Sequence, residues 1–123
     1  MRLLLDTHVL IWWDENARLS RAAREAIESA DQVYVSAVSG WEISLKASLG
    51  RLKPVRTVAE AVADSQFEEL PLRLRHTEAL LKLPWHHRDP FDRMLIAQAL
   101  SERLTIVTRD RAFVDYKVSL TTA

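Results

Sequence analysis

The chain has 123 residues, 48% of them hydrophobic, with 17 Lys plus Arg against 17 Asp plus Glu and no cysteine. Such a length suits one globular domain, residues 1–123, with a core of its own. The composition excludes disulfides, thiol catalysis and cysteine-ligated zinc, and the charge balance excludes whole-molecule attraction to nucleic acid while leaving local basic patches open.

Residues 2–5 form a short apolar run that reads as a buried strand. Residues 8–14, with leucine, isoleucine and two tryptophans, suit a short helix packed on a sheet. "SRAAREAIESA" (20–30) is an amphipathic helix, and "QVYVSAV" (32–38) has the β-branched and aromatic character of a strand. Helical spacing returns over 39–49 and stops at Gly50. Thr57 and Glu60 make a T-x-x-E capping box for a helix reaching about Gln66. "EELPLR" (68–73) is a short strand that Pro71 confines to an edge. A short helix over 77–83 closes at Pro84. Asp89-Pro90 starts another, Asp as cap and Pro at the first position, running to about Arg103. "LTIVT" (104–108) is a clear strand and "KVSLT" (117–121) a last one. Short apolar strands alternating with helices predict an α/β fold on a mostly parallel sheet. No apolar run approaches the roughly 20 residues of a membrane span. The N-terminal apolar run is broken by Asp6 and His8, with no small-residue cleavage site after it, so a soluble, cytoplasmic protein is expected.

Four acids fall just after strands or at helix starts. Asp6 follows "RLLL", Asp110 follows "TIVT", and Glu42 lies in the first turn of the helix after "QVYVSAV". Asp92 lies in the first turn of the helix leading into "LTIVT". The carboxyl ends of parallel strands share one edge, where ligands bind. Glu42 lies on a stripe with Val38, Leu45 and Leu49, and Asp92 on one with Ile96 and Ala99, so both are expected to face inward. Carboxylates converging on an apolar face must be paired, protonated or bound to a cation, and hard oxygen donors suit Mg²⁺ or Mn²⁺.

Each residue also has a purely structural reading. Ser39-Gly40-Trp41-Glu42 is a capping box, and Glu42 to Lys46 an i,i+4 pair. Asp89 is most simply a helix cap, Asp92 a complement to the helix dipole, and Asp110 a loop acid between Arg109 and Arg111. Asp6 is the hardest to explain this way, because it ends a core strand. Arg88, Arg93, Arg109 and Arg111 lie beside the acids as phosphate contacts or as ion-pair partners. His86-His87 is set aside as a zinc site, since adjacent side chains point different ways on most backbones. Trp12, Trp13, Trp41 and Trp85 read as core or interface residues, with RNA stacking as the alternative.

"LLLDTHVLIWW", "SAVSGWEISLKASLGRL", "DPFDRMLIAQAL" and "TIVTRDRAF", in this order, resemble a PIN-domain protein of the VapC-like toxin group. The resemblance implies a PIN-like fold, a central mostly parallel sheet of four to five strands flanked by helices. It implies a Mg²⁺- or Mn²⁺-dependent endoribonuclease, the toxin of a type II toxin–antitoxin pair. Position by position, Asp6 is the first family acid, followed by a supporting Thr7. Glu42 is the second, Asp92 the third, and Asp110 the fourth, with Thr108 two residues before it. Asp115 competes for the fourth place, and Asp89 stays outside the set as a cap. Arg93 and Arg109 become candidate RNA contacts. The group implies a homodimer covered by a small antitoxin that sets a basic side chain near the acids. Hydrolysis without attack by the 2′-OH leaves a 5′-phosphate and a 3′-hydroxyl. The rival readings are a non-catalytic PIN-like module that binds RNA or protein, a phosphoryl-accepting aspartate at Asp6, and a deoxyribonuclease.

Overall fold

The computed structural model describes residues 1–123, and its centre is one five-stranded sheet. The strands are β1 (Arg2–Leu5), β2 (Gln32–Ser36), β3 (Glu68–Leu70), β4 (Thr105–Thr108) and β5 (Leu120–Thr122). Their spatial order is β3-β2-β1-β4-β5, and every neighbouring pair is parallel. Leu3 stands opposite Val33 and Thr105, and Leu4 opposite Tyr34 and Ile106. The central strands are apolar without alternation because both faces are covered. Leu3, Leu5, Val33, Val35 and Val107 face one core; Leu4 and Ile106 face the other.

Six helices cover those faces: α1 (Thr7–Asp14), α2 (Arg21–Ser29), α3 (Ala37–Ser48), α4 (Val58–Asp64), α5 (Leu74–Leu81) and α6 (Pro90–Glu102). α1 and α2 bury Val9, Leu10, Ala23 and Ile27 in the first core; α6 buries Leu95, Ile96 and Ala99 in the second. α1 and α3 leave the carboxyl ends of β1 and β2. α6 runs back toward the start of β4, so its N-terminus lies at the same carboxyl edge. Gln98, fully buried on α6, accepts a hydrogen bond from Ser36 at 2.5 Å and donates to the Pro71 carbonyl, tying α6 to the end of β2.

Local details depart from the sequence reading. The second strand ends at Ser36 rather than Val38, because the Ser36 hydroxyl accepts the Val38 N–H and caps α3. Ser39 is therefore not a cap; it lies inside α3, where Thr7 donates to its hydroxyl at 3.0 Å. The row from Val38 through Glu42 is buried, but Leu45 and Leu49 at its far end are exposed. α5 begins at Leu74, and the last strand at Leu120. A 3-10 turn over Arg111–Asp115 carries no periodic signal that would forecast it. The Thr57–Glu60 box and the Asp89-Pro90 start are as expected.

Arg93 is not available as an RNA contact. It is 4% exposed, and its guanidinium donates to the carbonyls of Pro84 at 2.7 Å and Leu83 at 3.3 Å and to the Tyr116 hydroxyl at 3.1 Å. The Trp85 ring covers it, 3.8 Å from centroid to guanidinium carbon. Arg93 follows Asp92 in sequence but projects about 100° away from it around the helix. It clamps the 83–88 segment onto α6. Arg93→Lys, whose single ammonium cannot reproduce that fork, is expected to destabilise the protein by about 1–3 kcal/mol. A urea titration measures this, and an unchanged midpoint would refute the clamp.

Candidate active site

The four acids reach the carboxyl edge by four local routes. Asp6 follows β1, and its amide donates to the Val107 carbonyl of β4 at 3.1 Å. Its Oδ1 accepts the Val9 N–H at 2.8 Å, capping α1, and its Oδ2 accepts the Thr108 hydroxyl. That hydroxyl also accepts the Asp110 N–H at 3.0 Å, so one threonine at the end of β4 fixes both acids. Asp110 in turn caps the 3-10 turn by accepting the Ala112 N–H at 2.9 Å. Asp92 stands in the first turn of α6, held by the Asp89 cap, which accepts the Asp92 N–H at 3.0 Å. Glu42 is 3% exposed on α3; Lys46 donates to its Oε2 at 2.6 Å, and its Oε1 is buried with no hydrogen-bond partner.

The electrostatics link these acids in pairs. Burial pushes the Asp6 carboxyl upward, opposed by the Thr108 and Val9 hydrogen bonds and the nearby His8, and the charge of Asp110 pushes it further. Burial raises Asp92 to about 6, against the hydrogen bond from His87, with the charges of Asp89 and Glu42 adding to the rise. Asp92 and Asp110 meet across His87, whose Nε2 lies 2.8 Å from Asp92 Oδ2 and 3.8 Å from Asp110 Oδ2. Ligand atoms of His87, Asp92 and Asp110 lie within 4.8 Å of one another. The charge of Asp110 thus reaches Asp6 and that of Glu42 reaches Asp92, while the tight group of His87, Asp92 and Asp110 includes neither Asp6 nor Glu42. Among Lys and Arg, Lys46 alone makes an ion pair with any of the four. The alternative in which the neighbouring arginines neutralise Asp92 and Asp110 does not hold: Arg93 serves the 83–88 segment, and Arg109 donates to the carbonyls of Ala123, at 3.0 Å, and Arg18.

Oxygen donors dominate this edge, the buried Oε1 of Glu42 lacks any partner, and neighbouring acids disfavour the charged forms of Asp6 and Asp92. That donor set fits a hard divalent cation. Thr7 is buried and bonds α1 to α3 through Ser39. Asp115 is exposed at the end of the 3-10 turn and is not part of the cluster, whereas Asp110 is. Asp89 acts as the α6 cap. Arg109 is exposed, its guanidinium 4.4 Å above the Trp12 ring. None of the four tryptophans is fully buried: Trp12 and Trp13 are half-covered, Trp41 is 59% exposed against the edge of Phe91, and Trp85 is 76% exposed over Arg93.

Sequence reasoning missed His87. The expectation that His86 and His87 point different ways holds: His86 packs against Tyr116, while His87 points into the acids. The signal available was its spacing, five residues before Asp92 and just ahead of a helix start.

Comparison with known proteins agrees with this geometry. The PIN domain family profile matches residues 3–118. Ribonuclease VapC22 of Mycobacterium tuberculosis is 34% identical over 114 residues, covering 89% of this chain and 87% of its own. VapBC2 of Rickettsia felis, solved bound to a DNA fragment from its promoter, superposes with a TM-score of 0.71 at 14% identity, over 99% of this chain and 98% of the other. A toxin–antitoxin complex from Klebsiella pneumoniae gives 0.68 at 21% identity, over 97% and 96%. With its acids at the carboxyl edge of a five-stranded parallel sheet, the chain belongs to the PIN-domain family and, within it, to the VapC group.

Proposed function

We propose that this chain is a Mg²⁺- or Mn²⁺-dependent endoribonuclease that hydrolyses RNA phosphodiesters, the toxin of a toxin–antitoxin pair. The observation that carries the reading is the buried, partnerless Oε1 of Glu42, whose charge raises Asp92 next to the tight group of His87, Asp92 and Asp110. The likeness to a ribonuclease VapC supplies the substrate class. Asp6 and Asp92 would hold the cation directly, and Glu42 and Asp110 through water or around a second ion. When bound, the cation supplies Lewis acidity to the scissile phosphate and lowers the pKa of water at the site.

The chain's own residues do the rest. Thr108 orients Asp6 and restrains the start of the Asp110 loop. Lys46 balances one oxygen of Glu42 and leaves the other available. Arg109, exposed at the end of β4 with its guanidinium on the Ala123 and Arg18 carbonyls and over the Trp12 ring, would have to release those carbonyls to serve as a phosphate contact that adds sequence-blind, salt-dependent affinity. The proposed assembly is a homodimer with a small antitoxin over the acids. Relatives solved as toxin–antitoxin complexes support the antitoxin, and a carboxylate cluster invites the bidentate fork of an arginine from it.

Two outcomes are expected. Asp6→Asn keeps the α1 cap yet removes a charge, so RNA cleavage with Mg²⁺ falls by roughly two orders of magnitude while the circular dichroism spectrum is unchanged. Wild-type products carry 5′-phosphate and 3′-hydroxyl ends. Undiminished cleavage by the variant, or 2′,3′-cyclic phosphate ends, would refute this chemistry, and binding without cleavage would favour a non-catalytic module.

The second outcome concerns pH. Asp6 and Asp92 have folded pKa values above their unfolded ones, Asp92 at about 6 against 3.8. The folded metal-free protein therefore binds more protons, and these groups lose stability for it as pH rises from about 4 to 6. A cation restores that loss only where the acids are ionised. Saturating Mg²⁺ should raise the melting temperature clearly at about pH 7.5 and hardly at about pH 5. Equal shifts at both, read by scanning calorimetry, would contradict it.

A further inference from the structure

His87 is the one member of the edge cluster that is not an acid, and its two ring nitrogens face different partners. Nε2 lies 2.8 Å from Asp92 Oδ2. Nδ1 accepts the Arg88 backbone N–H at 3.1 Å. A ring nitrogen that accepts an N–H presents its lone pair, so the neutral imidazole carries its proton on Nε2. A metal-ligating histidine has the opposite arrangement, its second nitrogen donating to an acceptor. His87 is therefore built to donate into the cluster rather than to ligate.

The ring is also held in place before anything binds. The Tyr116 hydroxyl accepts the backbone N–H groups of His87 at 2.8 Å and His86 at 3.1 Å. Arg93 donates to that same hydroxyl and to the Pro84 carbonyl upstream. Phe113 stands edge-on to the His87 ring at 6.3 Å. Asp110 Oδ2, at 3.8 Å, is beyond hydrogen-bond distance, so Asp92 is the recipient of the Nε2 proton's bond. Asp92 Oδ1 makes no hydrogen bond within the protein.

We infer that His87 is a positioning residue: its Nε2–H holds Asp92 by Oδ2 and turns Oδ1 toward the divalent cation. The inference rests on the metal-dependent reading above. Without the donor, the Asp92 carboxylate on the first turn of α6 is free to rotate, and the cation loses a pre-aimed ligand.

Three variants separate this role from packing and from ligation. In His87→Gln the amide nitrogen stands as many bonds from Cβ as Nε2 does, so it can donate to Asp92. His87→Asn places its amide at the Nδ1 position, and His87→Ala removes both. Mn²⁺ binding is followed by the electron paramagnetic resonance of free Mn²⁺, with metal-free melting curves to show that each variant folds. His87→Ala and His87→Asn should weaken Mn²⁺ binding by about 10–100-fold, with His87→Gln restoring most of it. In the metal-free wild type, ¹⁵N shifts of the imidazole should show the proton on Nε2. If Ala and Asn bind Mn²⁺ as tightly as wild type, or Gln as weakly as Ala, or if the proton sits on Nδ1, the positioning role is wrong. If the wild type itself binds no Mn²⁺, the metal-dependent reading fails, and this inference falls with it; the ¹⁵N result then reports only the tautomer.

Discussion

Carboxylates crowded at one edge of a parallel sheet, with one lysine against them, are the constraint on which this structure turns. Burial alone raises Asp6 and Asp92, and each feels a further acid that raises it more. A fold stable without function would protonate these groups, pair them or replace them with apolar side chains. Instead the chain fixes them in place. Thr108 binds Asp6 and the Asp110 amide with a single hydroxyl, Asp89 holds the first turn of α6, and Ser36 starts α3 at the right point for Glu42. The unfavourable charge is concentrated at one edge of the sheet, as the proposed cation site requires.

The parallel topology makes this economical. Since all five strands run the same way, each strand end and each returning helix start delivers a residue to the same edge. Asp6 and Asp110 come from adjacent strands, Glu42 and Asp92 from helices bordering that edge. The polar bonds that secure the edge cross between elements far apart in sequence: Thr7 to Ser39, Ser36 to Gln98, Thr108 to Asp6. The site is thus braced by the same layer packing that buries the two cores.

Much of this was legible in the sequence where a local rule was at work. The Thr57–Glu60 box, the Asp89-Pro90 start and the Glu42–Lys46 pair are local chemistry, and they form as read. The strand runs were legible because both faces of the sheet are covered. Where the sequence reading differs from the structure, tertiary contacts that no local rule encodes decide the outcome. Arg93 follows Asp92 but lies on another side of α6, buried under Trp85. The divergence of adjacent histidines argues against a shared metal site for His86 and His87, yet it is what aims His87 at the acids. Ser39 read as a cap, although Ser36, three residues earlier, reaches the free N–H groups first. The helical stripe ending at Leu49 predicts burial, but no covering element reaches its last two positions.

On the proposed reading, Asp6, Glu42, Asp92 and Asp110 together hold a divalent cation. Its most direct test is a crystal grown or soaked with Mn²⁺ near neutral pH and measured at the manganese absorption edge. An anomalous peak is expected among these four acids, within coordination distance of Asp6 and Asp92. A map with no peak there, at Mn²⁺ concentrations that support RNA cleavage, would contradict it.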